Sequence, residues 1–218
     1  MGLAVKVGVY ARFIRNGDQE EVEWFDEILE NINEALEEEG EEIFEEPTEL
    51  DALHMRVWCD SLSYSYIHYL RRFLVHIVVN PDVIPDALSD NEDPTEDSLY
   101  VEQQQRFYDW HLIAHSDAEG LYLPMNLQRP PIYDFEVQSP IWGGILGCSY
   151  RLMDELVRIA PKLGIKLTVD NKLTDEEANK VNELAASEEG FYREYAAWII
   201  LFEASRLSIE YKTAIMFT

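Results

Sequence analysis

"HLIAHSDAEGLYLP", residues 111–124, places two histidines, an aspartate and a glutamate within nine positions. Read as a helix, it puts His111 and His115 four residues apart on one face, the spacing by which zinc proteases hold a metal. The catalytic glutamate that follows the first histidine in those enzymes is missing, "SDAEG" is turn-like, and "LYLP" resumes an alternating pattern. Read as an extended strand, His111 and His115 share a face but stand about 13 Å apart at ~3.3 Å per residue, too far to grip one ion. The stretch therefore predicts a β-hairpin. Its tip lies at Asp117–Gly120, with Asp117 serving turn amides and Gly120 at positive φ.

A hairpin implies a sheet, and the flanking sequence supplies other strands: "LAVKVGVYAR" (3–12), a short run at 132–137, and "IKLTV" (165–169). Helices alternate with them. Val22, Phe25, Ile28, Leu29, Ile32, Ala35 and Leu36 form one apolar stripe over 20–38, with Gly17 and Asp18 as start signals. Ile67, Leu70, Phe73, Leu74, Ile77 and Val78 do the same over 63–79, and Asn80-Pro81 ends that helix. A shorter helix is expected at 99–110, with Val101, Gln105 and Tyr108 on its inner face, and another at 149–160. Thr174 and Glu177 form a capping box that launches a helix to about Ala186, and an aromatic stripe from Phe191 to Ile209 marks the last. The expected architecture is one α+β domain over 1–218, a small mixed or antiparallel sheet covered by four or five amphipathic helices. The structural rival is a mostly helical fold with a peripheral hairpin.

Charge is the outlier. The 218 residues carry 43 acids against 17 lysines and arginines, a formal net charge of −26. Seventeen of those acids lie between Asp18 and Asp51, where there is no base. Such a field repels phosphates and anionic membranes, so direct nucleic-acid or membrane binding is not expected; it favours basic partners. Glu37, Glu38 and Glu39 sit at the unfavourable end of a helix dipole, and like charges at helical spacing cost local stability. Arg71 and Arg72, the one adjacent pair of bases, are candidates to pair with this acidic helix. The start of the chain shows no basic region followed by an apolar leader, and "AAWIILF" (196–202) is too short to span a bilayer. A cytoplasmic protein is expected, with Cys59 and Cys148 as buried thiols.

Chemistry has one further foothold. The glycines of "GGILGCSYR" (143–151) precede a helix start, where Ser149 suits an N-cap, Arg151 suits an anion, and the Cys148 thiol would feel the dipole. The glycine spacing matches neither phosphate-loop pattern, "GCSYR" is not a serine-hydrolase elbow, and His54, His68 and His76 are read as structural or surface residues. A hydrolase or ligand-binding reading requires His115, Asp117, Cys148, Ser149 and Arg151 to converge on a pocket between hairpin and helix start. No cofactor, metal site or catalytic residue is assigned.

His115-Ser116-Asp117, Gly120-Leu121-Tyr122-Leu123-Pro124 and the segment from Gly147 to Leu156 resemble parts of small acidic bacterial proteins, some of them read as immunity or interaction proteins. That resemblance implies a bacterial interaction protein and carries no catalytic role. The preferred reading is a non-enzymatic acidic interaction protein, immunity-like in one form, that engages a basic macromolecule through Glu20, Glu23, Asp26, Glu27, Glu30 and Glu34. The alternatives are the pocket-bearing hydrolase or ligand binder, and a DNA mimic whose carboxylates are spaced like backbone phosphates.

Overall fold

The Val-rich N-terminal run does not continue as one strand. A computed structural model, which describes residues 2–54, 56, 61–104, 106, 108–127 and 131–218, divides it into β1 (Gly2–Leu3), β2 (Val5–Val7) and helix α1 (Val9–Asn16). Gly8 takes φ 68°, and its left-handed backbone ends the extended run. α1 in turn closes on Gly17, so that residue ends one helix rather than opening the next. Helix α2 (Gln19–Glu38) follows, as the apolar stripe predicts, burying Phe25, Ile28, Ile32, Ala35 and Leu36. Cys59 and Gln105 lie outside the described residues.

The remaining elements are β3 (Leu62–Ser63), α3 (Tyr64–Val79), α4 (Ser98–Gln104), α5 (His111–Ala114), β4 (Gly120–Leu123), β5 (Ile132–Tyr133), β6 (Ile145–Cys148), α6 (Ser149–Ile159), α7 (Asp175–Ala186), α8 (Tyr192–Tyr211) and β7 (Ile215–Phe217). β1 and β3 form a small antiparallel sheet, and the main sheet has the order β2-β7-β4-β6-β5. Its pairs are antiparallel apart from β4 and β6, which run parallel with Tyr122 opposite Gly147. The class is α+β with a mixed sheet, as expected. The described residues hold eight helices, more than the four or five expected.

The predicted hairpin is not there. His111–Ala114 is a single helical turn, and β4 pairs with β6 and β7, both distant in sequence. Two buried side chains, Glu155 and Arg71, impose the turn. The Glu155 carboxylate accepts the amides of His111 and Leu112 at 2.7 Å each, while the Arg71 guanidinium donates to the carbonyls of Leu112 and His115 at 2.7 and 2.5 Å. Arg71 thus serves backbone, and Arg72 pairs with Asp97 at 2.8 Å; neither meets the acidic helix as expected. Gly120 does take positive φ, at 122°.

Other differences have equally local causes. Residues 165–169 form no strand, because Thr168 accepts from Asn171 and donates to Lys172 in a tight turn. The strand expected at 132–137 stops at Tyr133 and gives way to a 3-10 turn, Asp134–Glu136. Of the residues expected on the inner face of a helix over 99–110, Val101 in α4 and Tyr108 beyond it are exposed, and Tyr100 is buried instead. Thr174 caps α7 by accepting from the Glu177 amide, but the Glu177 carboxylate turns to Lys166 and Lys180 rather than completing the box.

The pleat of the sheet sends side chains to two cores. Tyr122, Ile215 and Phe217 join the cluster formed with α3, α6, α7 and α8, whereas Leu121, Leu123, Leu146 and Met216 join Val9 and the apolar face of α2. The helix α8 is buried along its length, with Trp198 and Phe202 stacked at 4.6 Å. Gly147 leaves room for the Tyr122 ring on the neighbouring strand; a Cβ there would stand 2.3 Å from Cδ1. The acidic helix therefore covers one face of the sheet, with its apolar side inward and its charge outward.

Candidate interaction surface

With Phe25, Ile28, Ile32, Ala35 and Leu36 inward, helix geometry aims the opposite face of α2 at solvent. Glu20, Glu23, Glu27, Glu30, Glu34 and Glu37 follow one another at three- and four-residue steps on that face, and all are exposed. Asp26 lies along one border, where Tyr10 of α1 donates to it; the hydrogen bond to that carboxylate raises the phenol to about 12. Along the other border, Glu34 accepts from the Ser139 hydroxyl and Glu38 from the Gln138 amide at 2.9 Å. Among the described residues, no basic side chain forms an ion pair with a carboxylate of α2.

The acidic run beyond α2 folds back as a strap. Asn33 makes two bonds to the Phe44 backbone, 3.0 and 2.7 Å, and Phe44 is buried with the α2 cluster. Glu46 is buried too, accepting from the Thr213 hydroxyl and from the Ala214 amide at 2.8 Å, next to β7. Burial pushes its carboxyl up to about 7, although both hydrogen bonds oppose the rise. The neighbouring Glu42, Glu45 and Glu49 are exposed, so helix and strap together present a broad negative face. One aromatic pair interrupts that face: Trp24 of α2 meets Trp142 edge-on, ring centroids 5.3 Å apart and planes at 83°. The sequence reading passed over this pair, since nothing in the spacing of residues 24 and 142 ties them together.

The five residues of the alternative pocket are each engaged separately. His115 is 2% exposed, with Nε2 3.1 Å from Leu121 O and Nδ1 3.0 Å from Ser116 O, so that the neutral ring donates to one of the two carbonyls, and it stacks on Tyr122 at 4.0 Å. Burial lowers its imidazole to about 4, keeping the ring neutral. Asp117 pairs with His68 of α3 at 2.6 Å. The Cys148 thiol donates to Met125 O at 2.7 Å, and burial raises it above the ordinary thiol range. Cys148, rather than Ser149, occupies the N-cap position of α6; the Ser149 hydroxyl meets that of Ser208 at 2.7 Å. Arg151 reaches Leu127 O at 3.3 Å and Asp154. The histidine that does reach the α6 start is His111, whose Nδ1 accepts from the Cys148 amide at 2.9 Å.

A cavity of about 690 Å³ lies elsewhere, lined among others by Arg56, Met153, Lys172, Leu173, Phe202 and Arg206, and it contains none of those five residues. Its arginines are already held: Arg56 and Arg206 both bridge to the buried Glu203. Among the described residues no three His, Cys, Asp or Glu side chains gather as a metal-binding group, and no described helix is long and apolar enough to cross a membrane. A family model described as "Putative DNA-mimic protein" matches residues 1–217 of the chain. No curated protein and no solved structure matches it.

Proposed function

The chain belongs to this DNA-mimic family, and from that membership we propose that it is a non-enzymatic interaction protein whose acidic face occupies the DNA-binding surface of a basic protein. The observation that carries the reading is the charge density along α2. Glu20, Glu21, Glu23, Asp26, Glu27, Glu30, Glu34, Glu37 and Glu38 all lie on it. At 1.5 Å per residue they span about 27 Å, roughly one charge per 3 Å of axis. One strand of duplex DNA offers a phosphate about every 3.4 Å. The match is in charge per length of axis: six of the nine, Glu20, Glu23, Glu27, Glu30, Glu34 and Glu37, share the outward face, and Asp26 and Glu38 flank it on its two borders.

Binding would release the counterions condensed on the partner and on the acidic face, so affinity falls steeply with salt, and the long-range field speeds encounter. The same field keeps the protein off nucleic acid itself. A DNA-binding or DNA-cleaving toxin is one partner of this chemistry, the form in which the immunity-like reading fits, and the cytoplasm is the compartment where such partners meet it. In this proposal the chain acts as one domain.

The test is capture of native-cell proteins on the immobilised chain at low salt, followed by elution with duplex DNA. The retained proteins should bind duplex DNA themselves and should be released by it. A variant with Glu20, Glu23, Asp26, Glu27, Glu30 and Glu34 replaced by their amides should lose that retention while remaining folded. Retained proteins with no affinity for DNA, or retention unchanged in the variant, would overturn the reading.

A further inference from the structure

We propose that the Trp24 indole, braced by Trp142, is the seat for an arginine side chain of the basic partner; this deepens the DNA-mimic reading and rests on it. Trp24 is 38% exposed although its ring meets those of Trp142 and Phe25 in crossed contacts, at 83° and 62°. On α2 its neighbours at four residues before and three after are Glu20 and Glu27, both exposed and without a basic partner among the described residues. The exposed part of the indole is therefore flanked along the helix by two carboxylates.

That combination fits a guanidinium. Its plane stacks on the indole, and its five N–H donors fork outward to carboxylates on either side. A lysine ammonium matches the charge but neither the plane nor the fork. Charge complementarity commits the occupant to the partner, because the chain's own nearby bases stand away from it. Arg12 and Arg15 belong to α1, which meets α2 along the Asp26 border, and 26 lies about 200° round the helix from 24 at 100° per residue. A row of carboxylates alone attracts many basic grooves; an aromatic anchor between them selects those that place an arginine opposite it.

The experiment measures binding of an arginine homopeptide and a lysine homopeptide of equal length to the full chain, over a series of salt concentrations. Trp24→Leu keeps apolar contact with Trp142 and removes the π face. It should weaken the arginine peptide about two- to five-fold, the range of an exposed cation–π contact, and the lysine peptide by clearly less. Trp24→Phe, a smaller perturbation to the fold, should fall between. Equal loss for both peptides, or no loss for the arginine peptide, overturns the arginine seat. The underlying reading fails separately: if amide replacement of Glu20, Glu23, Glu27, Glu30 and Glu34 leaves the salt dependence of the lysine peptide unchanged, the acidic helix is not the binding face.

Discussion

Glu155 is buried with its carboxyl group on two backbone amides, and Glu46 and Glu194 are buried elsewhere in the fold. Burial raises them to about 8, 7 and 7, against an ordinary value of 4.5. The folded state therefore retains protons on these groups at pH values where the unfolded chain has lost them. Stability from this source is greatest at low pH and is lost as pH rises through the folded values. His115 acts in the opposite sense, since burial lowers it to about 4 and the unfolded ring takes up protons below about 6.5. Its contribution to the pH dependence, and that of His68, which burial also lowers, fades above that pH, so from about pH 6.5 to 8 the carboxyls outweigh the histidines. Urea titrations should show stability falling across it, by at most about 1.4 kcal/mol per pH unit for each group. Glu155→Gln should flatten the slope, and a stability that rises over this window would contradict the assignment. At this scale the sequence is legible only where the partner is local. Thr174 announces its cap to Glu177, whereas Glu155 capping His111, or Arg71 holding the carbonyl of Leu112, is a pairing across some forty positions.

Helix α2 illustrates what is legible at the scale of elements and what the fold adds. Its apolar stripe gave its limits to within a residue, because burial against the sheet enforces the 3.6-residue period. Its stability comes from that face, since the other face repels itself and the Glu37 side chain lies near the negative end of the dipole with no hydrogen-bond or ion-pair partner among the described residues. Replacing Glu37 by lysine should therefore stabilise the protein by about 0.3–1 kcal/mol at low ionic strength, visible as a higher urea midpoint. A lower midpoint would mean that the carboxylate serves the fold. Strands were less legible than helices because they are only two to four residues long. Alternation over so few positions does not distinguish a hairpin from a β4 whose neighbours come from 145–148 and 215–217. The candidate surface divides in the same way. Its carboxylates could be read directly from residues 18–51, and the Trp24–Trp142 contact could not, because it depends on the loop before β6 lying along α2.

For the molecule as a whole, a net charge of −26 spread over 218 residues makes the compact state repel itself. Added salt screens that repulsion, with a Debye length near 8 Å at physiological ionic strength. The melting temperature should rise from low to physiological sodium chloride, by about 2–4 °C for each kcal/mol of repulsion relieved. No rise would mean that the folded chain has already distributed its charge without strain. Sodium chloride should at the same time weaken partner binding, so stability and affinity should move in opposite directions. The order of the main sheet sets a further condition. β7, residues 215–217, lies between β2, residues 5–7, and β4, so the sheet joins strands far apart in the chain. Such pairing gives a high contact order and slows folding. On the ribosome, helices α1 to α8 can form while the sheet still lacks its second strand from the edge, and the row of charge on α2 reaches its final setting only after position 217 has emerged.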